Sequence, residues 1–273
     1  MKIIVVLGDT GFLGAAFSSH LINEGADFLG LNRGRMVLVK GGIRQEFPRK
    51  SNDLFKEIEP FLSEDCTVIN TIWGSNNREF RDSIVQEENS LREISLIDKL
   101  ENSYTQYVSF GSIAEISNKE ISPSCSTEYA RAKMLIAERL LGSKLNYLWI
   151  RVASSYGQND RRDWLIPQLL RNWRMKEELC LENPGQVINL CYLDSLVGSS
   201  LKIIHERRQG IFNATTIQWM TVEDIKNCFN SLQEPEYLVR TAGPFSPADP
   251  DKLLISSPPV TKYFAEFQEN YKS

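Results

Sequence analysis

The chain has 273 residues, of which 42% are hydrophobic and 24% charged, and its formal net charge at pH 7 is −4. A chain of this length can bury a sizeable core, as one large domain or as a domain with a smaller lobe. Acidic and basic residues are interspersed without a basic stripe, which argues against nucleic acid as a partner.

Cysteine and histidine usage argues against disulfides, metal sites and histidine-dependent triads. The five cysteines are scattered without a Cys-x-x-Cys pair, as expected in a reducing compartment. Only two histidines are available as metal ligands or catalytic bases. The sequence shows neither a secretory leader nor an apolar run of about 18 residues. We therefore expect a cytoplasmic protein without a metal ion and without membrane contact.

The first predicted element is a buried strand that runs into a glycine-rich turn. Residues 3–7 form a continuous apolar run, typical of a parallel strand covered on both faces. Glycines spaced three apart then let the backbone turn tightly and approach a pyrophosphate at a helix start. We predict that this turn binds a dinucleotide. The residues assigned to the cofactor are Gly8, Thr10, Gly11, Phe12, Leu13 and Gly14.

A regular alternation of strands and helices follows this turn. The first helix is predicted to end at Gly25, and further helices are predicted at 54–62, 79–100 and 127–141. Strands are predicted at 26–31, 42–47, 67–72, 104–110 and 145–152. This alternation predicts an α/β fold with a doubly wound, Rossmann-like parallel sheet.

The pattern is less regular beyond Tyr156. Helices are predicted at 164–173 and 194–206, with short strands near Leu179 and Ile211. We expect a dinucleotide-binding domain over residues 1–155. A small substrate-binding lobe, partly interleaved with the first domain, is expected over residues 156–273.

The residues after the second strand bear on which dinucleotide binds. NAD sites usually end this strand with an acid that accepts the ribose hydroxyls, whereas this chain has Asn32. Arg33 and Arg35 follow and can pair with a 2′-phosphate. We therefore predict NADP as the cofactor. The alternative is NAD, with the Asn32 amide on the ribose and both arginines solvated.

Tyr129 and Lys133 form the first part of a predicted catalytic group. They stand four residues apart on a predicted helix and so project from one face. A nearby ammonium stabilises the phenolate and lowers the tyrosine pKa, which makes the phenol a usable acid or base. Ser112 follows a strand end, at the sheet edge where ligands bind in open α/β folds. A serine at this position also commonly serves a turn or a helix cap.

Taken in this order, the motifs resemble the short-chain dehydrogenase/reductase superfamily, specifically its extended branch of nucleotide-sugar epimerases, dehydratases and reductases. The resemblance covers most of the chain. It implies catalytic roles for Ser112, Tyr129 and Lys133, and cofactor contacts for Tyr129 and Lys133. It also implies that Ser112, Asn89 and Tyr156 contact the substrate.

The resemblance further implies a homodimer and a nucleotide-sugar substrate. In this family the helices equivalent to 79–100 and 127–141 pair across a two-fold axis. Ile188 stands where many members place an arginine for the substrate diphosphate. The arginines that could compensate are Arg161, Arg162, Arg171 and Arg174. The alternative substrate is a smaller carbonyl compound without a nucleotide.

The expected reaction is the NADPH-dependent reduction of the keto group of a nucleotide-linked deoxy-keto sugar. Tyr129 would donate the proton to the sugar oxygen. One alternative is an NAD-retaining nucleotide-sugar 4-epimerase that uses the same three residues. Another is a non-catalytic dinucleotide-binding sensor or scaffold on the same fold.

Overall fold

The computed structural model describes residues 3–74, 81–115, 127–158, 160, 162, 164–175, 177, 179–216, 219–230 and 252–254. The chain divides into two compact units. The first unit comprises Met1–Arg151 and Val197–Phe212, and the second comprises Val152–Leu196 and Asn213–Ser273.

Strands and helices alternate along the described chain. The strands are β1 (Ile4–Leu7), β2 (Phe28–Leu31), β3 (Arg35–Lys40), β4 (Ile43–Pro48), β5 (Thr67–Asn70), β6 (Gln106–Ser112), β7 (Asn146–Val152), β8 (Ser154–Tyr156), β9 (Val187–Tyr192), β10 (Gly210–Thr215), β11 (Trp219–Thr221) and β12 (Lys252–Leu254). The helices are α1 (Phe12–Asn23), α2 (Leu54–Ile58), α3 (Val85–Leu100), α4 (Glu128–Leu141), α5 (Leu165–Met175), α6 (Leu193–His205) and α7 (Val222–Asn230).

The first unit is built on a large, mostly parallel sheet. Its strands lie in the order β10-β7-β6-β5-β1-β2-β3-β4. Of β10, only residues 210–212 belong to this unit. β1 pairs in parallel with β2 and β5, and β5 pairs in parallel with β6. Every residue of β1 is buried, as expected for a strand covered on both faces. The predicted α/β class with a Rossmann-like parallel sheet is confirmed.

An antiparallel hairpin extends this sheet beyond β2. β3 pairs antiparallel with both β2 and β4. The hairpin turns at Gly41 and Gly42, whose φ angles of 54° and 77° lie in the region that favours glycine. Only one strand, at 42–47, was predicted in this part of the chain, and β3 was not. The predicted strand is β4, which is exposed at every residue, whereas β3 lies between β2 and β4 and buries Val37 and Val39.

The helices of the first unit largely follow the prediction, with differences at their ends. α1 ends before Gly25, whose φ of 67° provides the left-handed stop that was expected. α2 ends at Ile58, and the rest of the predicted helix is a 3₁₀ turn over Glu59–Phe61. α3 begins at Val85 because residues 81–84 form turns. Residues 79 and 80, where that helix was predicted to begin, lie outside the described residues.

An apolar cluster of the first unit lies between the sheet and its helices. Leu7, Ile58, Tyr107 and Trp149 belong to it and have no exposed surface. Each such side chain stabilises the fold by about 1.5–3 kcal/mol through burial.

The second unit contains a small sheet of its own. β8 pairs in parallel with β9, and β11 pairs antiparallel with β9. The strand predicted near Leu179 is wrong, because the carbonyl of Leu179 accepts a hydrogen bond from the Lys226 ammonium (2.9 Å) and belongs to no ladder. The strand predicted near Ile211 is β10, whose last residues pair in parallel with β12.

No helix among the described residues is long and apolar enough to cross a membrane. The same residues contain no group of three or more His, Cys, Asp and Glu side chains placed to hold a metal ion.

Candidate active site

The glycine-rich turn forms a tight cradle at the start of α1. Gly8 has a φ of 86° and donates its N–H to the carbonyl of Leu31 (2.7 Å). Gly11 is the N-cap of α1 and donates its N–H to the carbonyl of Gly8 (2.9 Å). A Cβ atom at Gly14 would lie 2.1 Å from the Gly8 carbonyl oxygen, so only glycine lets the helix pack this closely.

Thr71, which directly follows β5, fixes this cradle from the other side. The Thr71 hydroxyl donates to the carbonyl of Leu7 (2.7 Å), and a Cβ atom at Gly8 would lie 2.8 Å from that hydroxyl. Thr10 and Gly11 are exposed, and Phe12 and Leu13 are half-buried. The first N–H groups of any helix lack intrahelical acceptors and favour an anion. The geometry of the cradle therefore fits a dinucleotide pyrophosphate.

Asn32 holds the turn at the end of β2. Its Oδ1 accepts hydrogen bonds from the backbone N–H groups of Gly34 and Arg35, both at 3.2 Å. Its Nδ2 donates to the carboxylate of Asp9 (3.0 Å). Burial raises the pKa of Asp9, and the hydrogen bond from Asn32 opposes this effect. Asp9 was not among the residues predicted at this turn.

The two arginines predicted to bind a 2′-phosphate differ in their surroundings. The Arg35 guanidinium forms an ion pair with Glu46 (2.9 Å), whose carboxylate also accepts from Arg44. Arg33 is exposed and forms no hydrogen bond or ion pair within the part of the chain that is described. Arg49, which the sequence analysis missed, donates to the carbonyl of Asn32 (3.1 Å) and so lies at the same turn.

Lys133 lies buried between α4 and the end of β6. Thr127 caps α4 by accepting a hydrogen bond from the N–H of Ala130 (3.2 Å), which places Tyr129 in the first turn and Lys133 in the second. The Lys133 ammonium donates to the carbonyl of Phe110 (2.7 Å), two residues before Ser112. Burial lowers its pKa to about 8, and the negative charges of nearby glutamates oppose this effect.

Trp73 connects Tyr129 and Lys133. The Lys133 Nζ atom lies 3.4 Å from the centroid of the Trp73 ring, a cation–π contact. The Tyr129 ring meets Trp73 edge-on at 5.7 Å between centroids. The indole N–H of Trp73 donates to Gln86 (3.0 Å), which fixes the ring. Trp73 is therefore a site residue that the sequence analysis did not identify.

A buried carboxylate fixes the backbone at Ser112. The Ser112 N–H donates to Glu115, which also accepts from Trp149 Nε1 and Arg151 Nε, both at 3.0 Å. A Cβ atom at Gly111 would lie 2.2 Å from Glu115 Oε1, so this approach requires glycine. The Ser112 hydroxyl accepts from the N–H of Ala114 (3.2 Å) and is half-buried.

A second buried carboxylate lies near Lys133. Glu93 on α3 accepts hydrogen bonds from the hydroxyls of Tyr107 (3.0 Å) and Ser109. Tyr107 in turn accepts from Asn70 Nδ2 (2.9 Å). Burial raises the pKa of Glu93, and the positive charge of Lys133 opposes this effect. The network joins α3, β5 and β6 beneath the site.

Asn89 and Tyr156 are held by other parts of the chain. Asn89 accepts from the N–H of Gly74 (3.2 Å) and donates to its carbonyl (2.8 Å), which fixes the segment that carries Trp73. Tyr156 belongs to the second unit, where it is buried against Tyr192 with 5.5 Å between ring centroids. Their substrate contacts stay predictions.

The arginines proposed for the substrate diphosphate are only partly described. Arg162 pairs with Asp160 (2.7 Å) and donates to the carbonyl of Ser155 (2.7 Å). Arg171 is exposed. Arg161 and the side chain of Arg174 lie outside the described residues.

The elements of the first unit thus bring three predicted residues to one sheet edge. Ser112 ends β6, and α4 carries Tyr129 and Lys133 next to that strand. A phenol, an ammonium and a hydroxyl so placed can exchange a proton with a substrate oxygen and stabilise charge on it. The glycine cradle lies at the carboxyl ends of the same parallel strands, where nucleotides bind.

The family model for the NAD dependent epimerase/dehydratase family matches residues 4–214 of the chain. No curated protein sequence matches the chain. Among solved structures, UDP-N-acetylglucosamine 4-epimerase from Bacillus cereus is 20% identical, with a TM-score of 0.67 over 85% of this chain and 82% of that chain.

Two further structures are similar to the chain at lower identity. The Bordetella bronchiseptica enzyme WbmH, solved in complex with NAD+, is 14% identical, with a TM-score of 0.68 over 100% of both chains. The dTDP-4-dehydrorhamnose reductase from Yersinia enterocolitica is 13% identical, with a TM-score of 0.66 over 85% of this chain and 81% of that chain. At these identities the likeness shows a shared fold.

Proposed function

Because the chain belongs to the NAD dependent epimerase/dehydratase family, we propose that it catalyses hydride transfer at an oxygen-bearing carbon of a nucleotide-linked sugar. The chain is an NAD(P)-dependent enzyme. The observation that carries the proposal is the placement of Tyr129 and Lys133 on α4, beside the end of β6 where Ser112 lies.

Each of the three residues has a chemical role in this proposal. When bound, the dinucleotide supplies or accepts the hydride. Tyr129 gives a proton to the sugar oxygen during reduction and takes it during oxidation. The Ser112 hydroxyl forms a hydrogen bond to the same oxygen. The Lys133 ammonium stabilises the phenolate form of Tyr129, and Trp73 and the Phe110 carbonyl hold that ammonium in place.

The substrate class is supported by the names of similar proteins. The Bacillus cereus structure is a UDP-N-acetylglucosamine 4-epimerase, and the Yersinia enterocolitica structure is a dTDP-4-dehydrorhamnose reductase. Both names refer to nucleotide-linked sugars. We assign dinucleotide binding to residues 1–155 and sugar-nucleotide binding to residues 156–273, with Asn89 and Tyr156 among the substrate contacts.

Two overall reactions are compatible with these three residues. In the first, NADPH reduces a keto sugar, and Arg33 and Arg35 bind the 2′-phosphate. In the second, a retained NAD supports 4-epimerisation. The ion pair between Arg35 and Glu46 favours the second reaction, because it engages one of the two arginines elsewhere.

The experiment is a turnover assay with UDP- and dTDP-linked hexoses and 4-keto hexoses. Products are separated chromatographically, and the oxidation state of the cofactor is followed by its absorbance. A reductase consumes one reduced cofactor for each product, whereas an epimerase shows no net consumption. Conversion of none of these compounds would contradict the proposed substrate class.

Tyr129→Phe tests the assignment of the proton donor. It is expected to reduce turnover by about 100-fold or more and to leave dinucleotide binding intact. The matched control is Tyr104→Phe, because Tyr104 is 78% exposed and lies outside the site. Near-normal turnover in Tyr129→Phe would remove Tyr129 from the mechanism.

A further inference from the structure

The end of β2 carries a carboxylate that comes from the glycine-rich turn. Asp9 follows Gly8 in this turn. The Gly8 N–H donates to the carbonyl of Leu31 (2.7 Å), and the Asp9 N–H donates to the same carbonyl (3.4 Å). The Asp9 side chain lies over Gly30: a Cβ atom at Gly30 would be only 2.6 Å from Asp9 Oδ2. Asp9 Oδ1 accepts a hydrogen bond from Asn32 Nδ2 (3.0 Å). Gly30 and Asn32 together hold the carboxylate at the end of this strand.

The chain leaves the Asp9 carboxylate with acceptor capacity for a ligand. Within the described part of the chain, Asp9 forms no ion pair, and its Oδ2 receives no hydrogen bond. Its residue is only 8% exposed, so water screens the charge poorly. A buried carboxylate with one oxygen that accepts no hydrogen bond from the described chain is suited to accept one from a ligand hydroxyl.

The cations near this carboxylate are shared with a second acid: the positive charges of Arg35 and Arg44 act on Asp9, and the negative charge of Glu46 opposes them. Arg35 and Arg44 each form an ion pair with Glu46. The side-chain oxygen of Asn32 already accepts hydrogen bonds from the N–H groups of Gly34 and Arg35. A phosphate at this strand end would therefore meet the acids Asp9 and Glu46. Among the described residues, the arginines there without a carboxylate partner are the exposed Arg33 and Arg49, whose guanidinium is held by the carbonyls of Asn32 and Ser51.

This arrangement bears on the choice between the two dinucleotides. In Rossmann folds an acid at the end of the second strand accepts the adenosine ribose hydroxyl of NAD and excludes the 2′-phosphate of NADP. Here that position holds Asn32, but the carboxylate beside it is supplied by the preceding glycine-rich turn. The NADP prediction assumed that no acid lies at this strand end, and Asp9 contradicts that assumption.

Building on the proposed function, that the chain binds a dinucleotide, we infer that Asp9 selects NAD over NADP. Its carboxylate accepts a hydrogen bond from the adenosine ribose and repels a 2′-phosphate. Gly30 and Asn32 are positioning residues in this account, since they hold the carboxylate at the strand end.

The test is calorimetric titration of NAD+ and NADP+ into the wild type, Asp9→Asn and Asp27→Asn. Asp9→Asn keeps an oxygen that can accept from Asn32 but removes the charge. Asp27→Asn is the matched control, because it removes the same charge beside the other end of β2, where Asp27 accepts from the Gly41 N–H (2.7 Å). The nucleotide that co-purifies with the wild type is identified by mass spectrometry as a second readout.

The wild type is expected to bind NAD+ at least about tenfold more tightly than NADP+, and any co-purified nucleotide to be NAD. Asp9→Asn is expected to reduce this ratio by about tenfold or more, and Asp27→Asn to leave it unchanged. Equal or tighter binding of NADP+ by the wild type would overturn the inference. An unchanged ratio in Asp9→Asn, with circular dichroism showing a folded protein, would also overturn it.

Failure of the proposed function has a different signature. If the wild type binds neither nucleotide and none co-purifies, dinucleotide binding itself is wrong, and the role of Asp9 is rejected with it. If both bind but the ratio does not depend on Asp9, the proposed function stands and only the inference about Asp9 is overturned.

Discussion

Lys133 is a buried charge whose surroundings both oppose and support ionisation. Loss of water lowers its pKa to about 8, while Glu93 and Glu115 raise it. The ammonium has one carbonyl acceptor, on Phe110, and lies against the face of Trp73. Such a lysine is charged at neutral pH and loses its proton under mildly alkaline conditions.

The depressed pKa of Lys133 predicts how stability depends on pH. An unfolded lysine has a pKa near 10.4, so between about pH 8 and pH 10.5 the unfolded chain holds a proton that the folded chain has released. The contribution of Lys133 to the free energy of unfolding therefore rises with pH across this window. It is lost as the pH falls through about 8.

Urea unfolding measures the contribution of Lys133 to the free energy of unfolding. The wild type and Lys133→Met are compared at several pH values across this window. The difference in unfolding free energy between the two proteins should grow in favour of the wild type as the pH rises. Lys99→Met is the matched control, because the Lys99 side chain is 42% exposed and pairs with Asp53 at the surface. Parallel curves for the wild type and Lys133→Met would contradict the assignment.

At the level of residues, short sequence motifs predicted the reactive groups, and these assignments stay predictions, but the motifs did not predict the side chains that support them. Ser112, Tyr129 and Lys133 were predicted because each lies within a short motif. Asp9 and Trp73 were missed, since their importance depends on contacts between distant segments. Asp9 and Asn32 are 23 residues apart in the sequence, and no local sequence pattern encodes their contact.

Among the elements, the junction of β1 and α1 depends on the absence of a side chain at Gly14. Alanine is a better helix former than glycine by about 1 kcal/mol, so propensity alone predicts that Gly14→Ala stabilises the protein. A Cβ atom at position 14 would lie only 2.1 Å from the Gly8 carbonyl oxygen, which predicts instead that the substitution destabilises the protein. Backbone atoms cannot yield as a flexible side chain would, so the clash should dominate.

We therefore expect Gly14→Ala to lower the free energy of unfolding by about 1–3 kcal/mol and to weaken dinucleotide binding. Thermal or urea unfolding gives the first quantity and calorimetric titration the second. Gly185→Ala is the control, because a Cβ atom there would meet open space, and its effect should stay within about 0.5 kcal/mol. A more stable Gly14→Ala protein would show that the junction tolerates a methyl group.

Elements with local end signals were predicted better than elements that depend on their neighbours. Thr127 and Gly25 mark the start of α4 and the end of α1, and the structure uses both. In the β3–β4 hairpin the glycine turn at Gly41 and Gly42 marks the start of β4, which was predicted, whereas β3 was missed and is defined by its pairing with β2 and β4. The strand predicted near Leu179 belongs to no ladder among the described residues.

At the scale of the whole molecule, α3 and α4 leave apolar side chains uncovered. Arg139 on α4 joins the two helices through ion pairs with Asp98 (2.7 Å) and Glu101 (2.8 Å) on and just after α3. Leu91 on α3 is 59% exposed, and Leu135 on α4 is 48% exposed. We propose that these helices form the homodimer interface expected from the family resemblance, because association would remove these side chains from water.

The dimer prediction is tested by light scattering at micromolar concentration. The wild type should have about twice the chain mass of 31.2 kDa, and Leu91→Glu combined with Leu135→Glu should shift it to the monomer mass, because buried unpaired carboxylates oppose association. Ile43→Glu is the matched control, since Ile43 is 66% exposed on the β4 edge, away from both helices, and this protein should stay dimeric. A wild type with the mass of one chain would reject the dimer. A double variant that stays dimeric would place the interface on another surface.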